Sequence, residues 1–271
     1  MSESPDLKIR SVSRALSVLQ AVNRHGALSM TQISNLVDLP YPTTCRIVGT
    51  LILEGFIVRE TSRKYYRPTA LVQSLSCGYQ PRVRLVSIAR RHIEKLTRNT
   101  GWPVSIASRV GSAMVIQDST HSLTTMTFSD YHPGFTLPIL SSASGMAYLA
   151  FTSEEDRGEI LSQLSDSSEE EEIHMFGKNP ELYFEIIRKE GYASYIRNPH
   201  TKDPGKTSSI AVPLYLEETV IGALTLVFFS TTLKVADAFE KYKEDLFLVQ
   251  KEINEDLVRM KLFKPEELGL G

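Results

Sequence analysis

The sequence predicts an α+β chain in two parts: a small helical N-terminal domain closed by a β-hairpin, and a larger domain in which strands and helices alternate. Three observations predict it. The first seventy residues carry apolar positions at helical spacing, followed by two short β-type runs around a polar turn. The formal charge changes sign along the chain. Residues 1–98 hold 15 Lys and Arg against 6 Asp and Glu, a balance of +9, whereas residues 99–271 hold the other 15 against 26, a balance of −11. From residue 104 onward, β-type and helical runs alternate without an internal repeat.

In the first part, Val12, Ala15, Leu16, Leu19 and Val22 fall at helical spacing, with Ser11 placed to cap that helix and His25 and Gly26 to end it. A short second helix starts at Ser29 or Met30 and turns Ile33, Leu36 and Val37 inward. Leu39 and Pro40 break the chain. A third helix runs from near Pro42, a residue tolerated in a first turn, to Glu54, and Gly55 suits its C-terminal cap. Residues 56–59 read as a strand, 61–64 as a turn and 65–67 as the returning strand. This order makes a winged helix-turn-helix of residues 1–70.

Residues 71–99 read as a linker. Pro81 ends its first stretch, and a basic amphipathic helix follows over 82–99, with Val86, Ile93 and Leu96 on its apolar side. Gly101, Trp102 and Pro103 stop it. Residues 100–271 form the second domain. Strands are expected at 104–109, 113–118 and 123–128, and helices at 143–151 and 154–164. The acidic run SDSSEEEE at 165–172 reads as a solvated loop. A helix follows at 180–190, then a hairpin of 208–216 and 220–229 around Glu217 and Glu218, and a long final helix at 235–263.

Apolar content of 42% and charged content of 23% are those of a globular protein and exclude disorder over most of the chain. The polar first ten residues lack the apolar core of a signal peptide and argue against export. The longest near-apolar stretch, 221–229, is too short to span a bilayer, so no membrane partner is expected. The two cysteines, Cys45 and Cys77, stand in no metal or redox spacing; free thiols in a reducing cytoplasm fit them.

A basic first third holds phosphates and an acidic remainder repels them, which points to one module facing double-stranded DNA. The third helix would enter the major groove, the groove whose base edges distinguish all four pairs. Thr44, Ile47, Val48 and Leu51 share its inward side, and Thr43, Arg46, Gly49 and Thr50 the opposite one. Arg46 suits guanine or phosphate, and Tyr41 lies at the helix start, where backbone amides favour a phosphate. Arg63 and Lys64 in the hairpin turn, and Arg10 and Arg14 at the first helix, suit backbone contacts. The plainer alternatives are an ordinary solvated face or a winged helix used as a protein–protein module.

Enzyme chemistry lacks its marks. There is no Gly-x-Ser-x-Gly elbow, no phosphate-cradling glycine loop, and no HExxH or paired spacing among His25, His92, His121, His132, His174 and His200. Neither cysteine has an activating partner in the sequence. The expectation is no catalysis, no cofactor and no metal.

Several segments resemble the IclR family of transcriptional regulators: SVSRAL at 11–16, LPYPTTCRIVGTL at 39–51, EGFI at 54–57, LPILSSASGMAYLAF at 137–151, SIAVPL at 209–214 and IGALTL at 221–226. The resemblance covers nearly the whole chain. It implies a winged helix-turn-helix, a linker helix and a GAF-like effector domain with a mixed antiparallel sheet. It also implies dimers or tetramers on roughly palindromic operators. Trp102 with Pro103, Thr120 with His121, the 137–145 stretch, and Gly191 and Tyr192 with Arg197 look like the regulators of 3-(hydroxyphenyl)propionate catabolism. Those are activators, working with RNA polymerase, that sense an aromatic carboxylic acid. The chain departs from the family pattern at Pro42, where serine is common, and at Met146, where a basic residue is common. It also departs in the loop 198–206 and in the wing ending at 66–69.

A pocket for a small aromatic acid needs apolar walls and a few placed polar groups. Ser141 and Ser142 can cap the helix at 143–151, whose amides suit a carboxylate. Arg197 is the natural bidentate partner of that carboxylate. His121 and Ser105 suit a ring hydroxyl, and Thr225 and Val227 alternate onto one sheet face as a floor. Gly145, as a point of close approach, and Met146, as an adaptable wall, enter from the resemblance. Each has a plainer alternative: His121 as a satisfied sheet histidine, Arg197 in a surface ion pair, Trp102 as core. At the level of function the alternatives are a repressor answering another small carboxylate, or a ligand-independent dimeric protein.

Overall fold

The structure is a computed structural model that describes residues 9–61, 63–78, 85–126, 131–165, 180–197 and 206–262. Most of the acidic run 165–172, the loop 198–205, His174, His200, the start of the expected linker helix at 82–84 and the end of the expected strand at 127–128 lie outside those residues. The chain divides into two compact units, Met1–Pro81 and Arg82–Gly271.

The first unit begins with α1 (Arg10–His25). Ile9 occupies its N-cap without a side-chain hydrogen bond, so Ser11 lies inside the first turn rather than capping it. Gly26, at φ 71°, ends the helix and donates its N–H to Val22 O at 3.0 Å. Only the C-terminal half of α1 packs: Val18, Leu19, Ala21 and Val22 are buried, whereas Val12 and Leu16, expected inward, are 52% and 53% exposed. Next come β1 (Leu28–Ser29) and α2 (Met30–Leu36). Ser29 caps α2 reciprocally: Gln32 N donates to Ser29 Oγ, and Ser29 N donates to Gln32 Oε1 at 2.8 Å. Ile33 is buried, but Leu36 is half exposed.

The turn before α3 (Tyr41–Leu53) is held by Ser34, whose Oγ donates to Leu39 O at 2.6 Å. Pro42 sits in the first turn of α3, where its missing N–H costs nothing. Gly55, at φ 81°, lets the chain reverse into β2 (Ile57–Arg59), which pairs with β3 (Tyr65–Pro68); β3 also pairs with β1, giving the order β1-β3-β2. Thr69 ties the end of this hairpin to the end of α3, donating its hydroxyl to Gly55 O at 2.6 Å and its N–H to Phe56 O at 2.9 Å. A 3-10 turn (Ala70–Ser76) follows. Val18, Val22, Ile33, Val48 and Ile57 form the centre of the core.

The second unit is a six-stranded antiparallel sheet between two layers of helices. Its strands are β4 (Val104–Val110), β5 (Ala113–Ser119), β6 (Thr136–Pro138), β7 (Ala193–Ile196), β8 (Thr207–Leu216) and β9 (Thr219–Phe229), in the order β6-β5-β4-β9-β8-β7. One face, with Ile106, Val212, Leu224 and Phe228, packs against α4 (Leu85–Thr100) and the long α8 (Val235–Leu262). The other carries small residues, Ala107, Ala211 and Ala223, under α5 (Ala143–Phe151); α6 (Glu154–Ser165) and α7 (Pro180–Glu190) complete that layer.

Several expectations are corrected here. Leu123 ends a 3-10 turn (His121–Leu123) instead of opening a strand; the neighbour of β5 is β6, which the sequence reading missed, as it missed β7. On α4, Leu85 rather than Val86 faces inward, with Ile88, Ala89, Ile93 and Leu96. Trp102, by contrast, is core as expected: it meets Phe229 edge-on at 5.4 Å and donates Nε1–H to Tyr242 Oη at 3.1 Å, joining the end of α4 to α8. No described helix is long and apolar enough to cross a membrane.

Candidate nucleic-acid face and ligand pocket

In the first unit, burial splits α3 cleanly. Thr44, Val48 and Leu51 are buried, whereas Tyr41, Arg46 and Thr50 are exposed and Thr43 is half-buried. Thr44 can sit inside because its hydroxyl bonds to Pro40 O at 3.3 Å. Thr50 bonds back to Arg46 O at 3.0 Å, so its methyl group and the Arg46 guanidinium are what the helix offers outward. In the hairpin, Arg63 and Lys64 are exposed and line a shallow concavity with Arg59, Glu60 and Thr61. Arg59 was missed in the sequence reading although it sits directly beside the basic turn. Arg10 and Arg14 are exposed on the N-terminal half of α1, which leaves the core.

In the second unit, a pocket opens where α5 begins. The body of α5 lies over the alanines of the sheet, and just beyond them the same face continues as Ser105, Ser209, Thr225 and Val227. The cavity holds about 40 Å³, well below the roughly 300–1,000 Å³ usual for small-ligand sites, so an occupant of ring size must widen it. Ser141, Ser142, Ala143 and Ser144 form one wall, Tyr131, Tyr195 and Arg197 another. Arg197 brings a positive charge, and no carboxylate is among the described lining residues.

Ser142 caps α5, accepting from Gly145 N at 3.2 Å and donating its hydroxyl to Pro138 O at 2.7 Å. Arg197 donates to Tyr131 Oη at 2.6 Å and stacks over that ring at 5.7 Å. Tyr131 meets His121 edge-on at 4.8 Å, and His121 Nδ1 pairs with the Ser119 hydroxyl. The end of β5 is in turn tied to α4: Arg90 donates to Asp118 Oδ1 at 2.7 Å and to Ser119 O at 3.2 Å. Thr225 Oγ1 is buried with no hydrogen-bond partner among the described residues. A buried hydroxyl in that state costs about 1–3 kcal/mol, which a correctly placed ligand group would return.

Five of the eight residues expected at an effector, Ser105, Ser141, Arg197, Thr225 and Val227, line this one pocket. His121 reaches it through Tyr131. Gly145 and Met146 do not line it. A Cβ on Gly145 would lie 1.9 Å from Ile139 O, so glycine there serves the seating of α5 on the preceding turn. Met146 is 2% exposed in the core behind the pocket. Ser209 was legible in principle: in the β8–β9 hairpin it pairs with Val227, on the same face. Tyr131 comes from a loop and carried no periodic signal.

Two family models match the chain: the IclR helix-turn-helix domain over residues 11–61 and the bacterial transcriptional regulator IclR C-terminal domain over residues 77–253. The HTH-type transcriptional regulator TsaQ1/TsaQ2 of Comamonas testosteroni is 25% identical over 166 residues, 60% of this chain and 59% of that relative, less than two thirds of its length. The HTH-type transcriptional regulator KdgR of Dickeya chrysanthemi is 23% identical over 262 residues, 95% of this chain and 82% of its own. Among solved structures, an IclR homolog from Microbacterium hydrocarbonoxydans complexed with 4-hydroxybenzoate shares the fold with a TM-score of 0.62 at 21% identity, covering 92% of this chain and 99% of that one.

Proposed function

This chain belongs to the IclR family of bacterial transcriptional regulators, a family of DNA-binding regulators rather than enzymes, and on that premise we propose that it is a cytoplasmic regulator that reads operator DNA with α3 and the wing and answers to a small aromatic carboxylic acid. The observation that carries the reading is the presence in one chain of an outward α3 face bearing Arg46 and a pocket whose lining holds Arg197 and no described acid. Arg46, Thr43 and Thr50 face base edges; Tyr41, Arg63, Lys64, Arg10 and Arg14 hold phosphates. Two copies, as a dimer or within a tetramer, read the two halves of a palindromic operator.

In the pocket, Arg197 takes the carboxylate, and Ser105, Thr225 and Val227 form the floor at the ring end. The bound 4-hydroxybenzoate of the Microbacterium homolog supports an aromatic acid as the class. The resemblance to regulators of hydroxyphenylpropionate catabolism supports activation through RNA polymerase. Effector binding shifts the population of conformers only by its differential affinity for them. The Arg90 contacts with Asp118 and Ser119 give α4 a direct mechanical hold on the strand end beside the pocket. α4 is also the first described helix after the DNA-reading unit in the chain, which suits it to carry the shift.

The test is a gel-shift titration on DNA upstream of neighbouring catabolic genes, with hydroxylated phenylpropionates and benzoates added, alongside a reporter. Arg46→Ala weakens operator binding and spares effector binding; Arg197→Ala does the reverse. Failure to retain any such fragment at low salt removes the DNA reading. Unchanged effector affinity in Arg197→Ala removes the carboxylate assignment, and reporter output that rises only when the protein is deleted makes it a repressor.

A further inference from the structure

We infer that the Thr225 hydroxyl selects a second polar group on the effector, so that the pocket takes a ring bearing a hydroxyl at one end and a carboxylate at the other, in preference to the plain aromatic acid. This inference rests on the effector-pocket reading above.

Thr225 is 6% exposed, and its Oγ1 has no hydrogen-bond partner among the described residues. Its neighbours explain why. On β8 it stands opposite Ala211, which has no polar atom to offer, and on β4 opposite Ser105, which does not bond it. The hydroxyls on the α5 side are turned to one another and to backbone: Ser144 donates to Ser142, and Ser142 to Pro138 O. The fold therefore holds a buried hydroxyl in the pocket lining with no partner among the described residues, where a valine of the same shape would carry no such penalty.

The distance from Thr225 to Arg197 sets the length of the occupant. Arg197 donates its backbone N–H to Thr207 O at the end of β7, and Thr225 pairs with Ala211. The two positions are thus two strands apart laterally and four residues apart along β8. With strands about 4.8 Å apart and a rise of about 3.4 Å per residue, their Cα atoms lie roughly 16 Å apart across the sheet. Arg197 and Thr225 both line the pocket, so their side chains shorten that gap, and one aromatic ring with a short acidic arm suits what is left. A ligand with its carboxylate on Arg197 therefore brings the far edge of its ring to Thr225. A hydroxyl there exchanges a hydrogen bond with Thr225; a bare C–H leaves the threonine unsatisfied.

The experiment is calorimetric titration of the full chain with two probes differing in one oxygen, 3-(3-hydroxyphenyl)propionate and 3-phenylpropionate, and with the pair 4-hydroxybenzoate and benzoate. The wild type is expected to prefer the hydroxylated member of the better-bound pair by about ten-fold or more, the scale of one buried hydrogen bond. Thr225→Val abolishes that preference by weakening the hydroxylated acid, while the plain acid keeps its affinity within about two-fold. Thr225→Ser keeps the preference. Equal wild-type affinity for both members, a preference that survives in Thr225→Val, or one lost in Thr225→Ser overturns the inference while leaving the effector pocket standing. Should circular dichroism show Thr225→Val unfolded, the wild-type pair and the serine variant decide alone. Failure of all four probes to bind overturns the aromatic-acid reading itself, and this inference with it.

Discussion

Replacing Gly145 by alanine asks whether glycine stands there for packing or to let a ligand come close. A Cβ at this position would lie 1.9 Å from the carbonyl oxygen of Ile139 and 2.6 Å from its carbonyl carbon and Cα. These are backbone atoms, so no side-chain rotation relieves the overlap. Real Cβ atoms stay beyond 3.0 Å of such neighbours, and α5 must therefore lift from the 139–142 turn by roughly an ångström. That movement breaks the Ser142 cap, worth about 1 kcal/mol. It also disturbs the packing of Ala143, Met146 and Ala147, all buried, for about 1–3 kcal/mol more. The expected loss is about 2–4 kcal/mol, within the range of a core overpacking mutation. For a unit of this size each kcal/mol moves the melting point by about 2–4 °C, so Tm falls by roughly 5–15 °C. A thermal melt of the ligand-free protein followed by circular dichroism measures it. An alanine variant that melts within about 2 °C of wild type but no longer binds effector would refute the packing argument and return Gly145 to the ligand.

Lys64→Ala lowers DNA affinity by a similar factor on every sequence and reduces the slope of log K against log salt by about 1; fluorescence anisotropy over a salt series measures it, and an unchanged slope removes the wing from the phosphate contacts. Arg90→Ala leaves effector affinity in isolation within a few-fold but shrinks the effector-dependent change in operator affinity; full coupling in the variant would show that α4 is not driven through Asp118 and Ser119. Asp256 is held below the usual carboxylate range by its hydrogen bond from His92 and by Arg91, and Glu181 likewise by Arg188 and Arg157. A depressed folded value contributes stability that is fully present above the unfolded value, near about pH 4, and is lost as pH falls through the folded one. The melting point of the larger unit therefore drops in acid below that range, and Asp256→Asn flattens the acid limb. An unaltered limb in both Asp256→Asn and Glu181→Gln would rule out these pairs as its cause.

How much was legible depended on whether a signal was periodic. The β8–β9 hairpin could be read because Ile210, Val212 and Leu214 alternate with Ser209 and Ala211, and Leu224, Leu226 and Phe228 with Thr225 and Val227; alternation puts each set on one face whatever lies above it. Ser105, Thr225 and Val227 followed from the same rule. On α1 the rule failed. Val12 and Leu16 have helical spacing with Leu19, but the other elements of the first unit reach only as far as Val18. β6 and β7, three and four residues long, are too short to show a period, and each exists because a longer neighbour offers it an edge.

By itself the sequence determined the division of charge between the two parts, the order of the longer helices and strands, and which side of α3 carries Arg46. Those properties come from residue type and spacing, and they survive any arrangement of the remaining chain. Only the tertiary structure decided that Gly145 lies against Ile139, that Tyr131 comes from its loop to hold Arg197, and that Thr225 is left without a partner among the described residues. Each of these depends on what a distant segment places within a few ångströms, and local spacing carries no information about that.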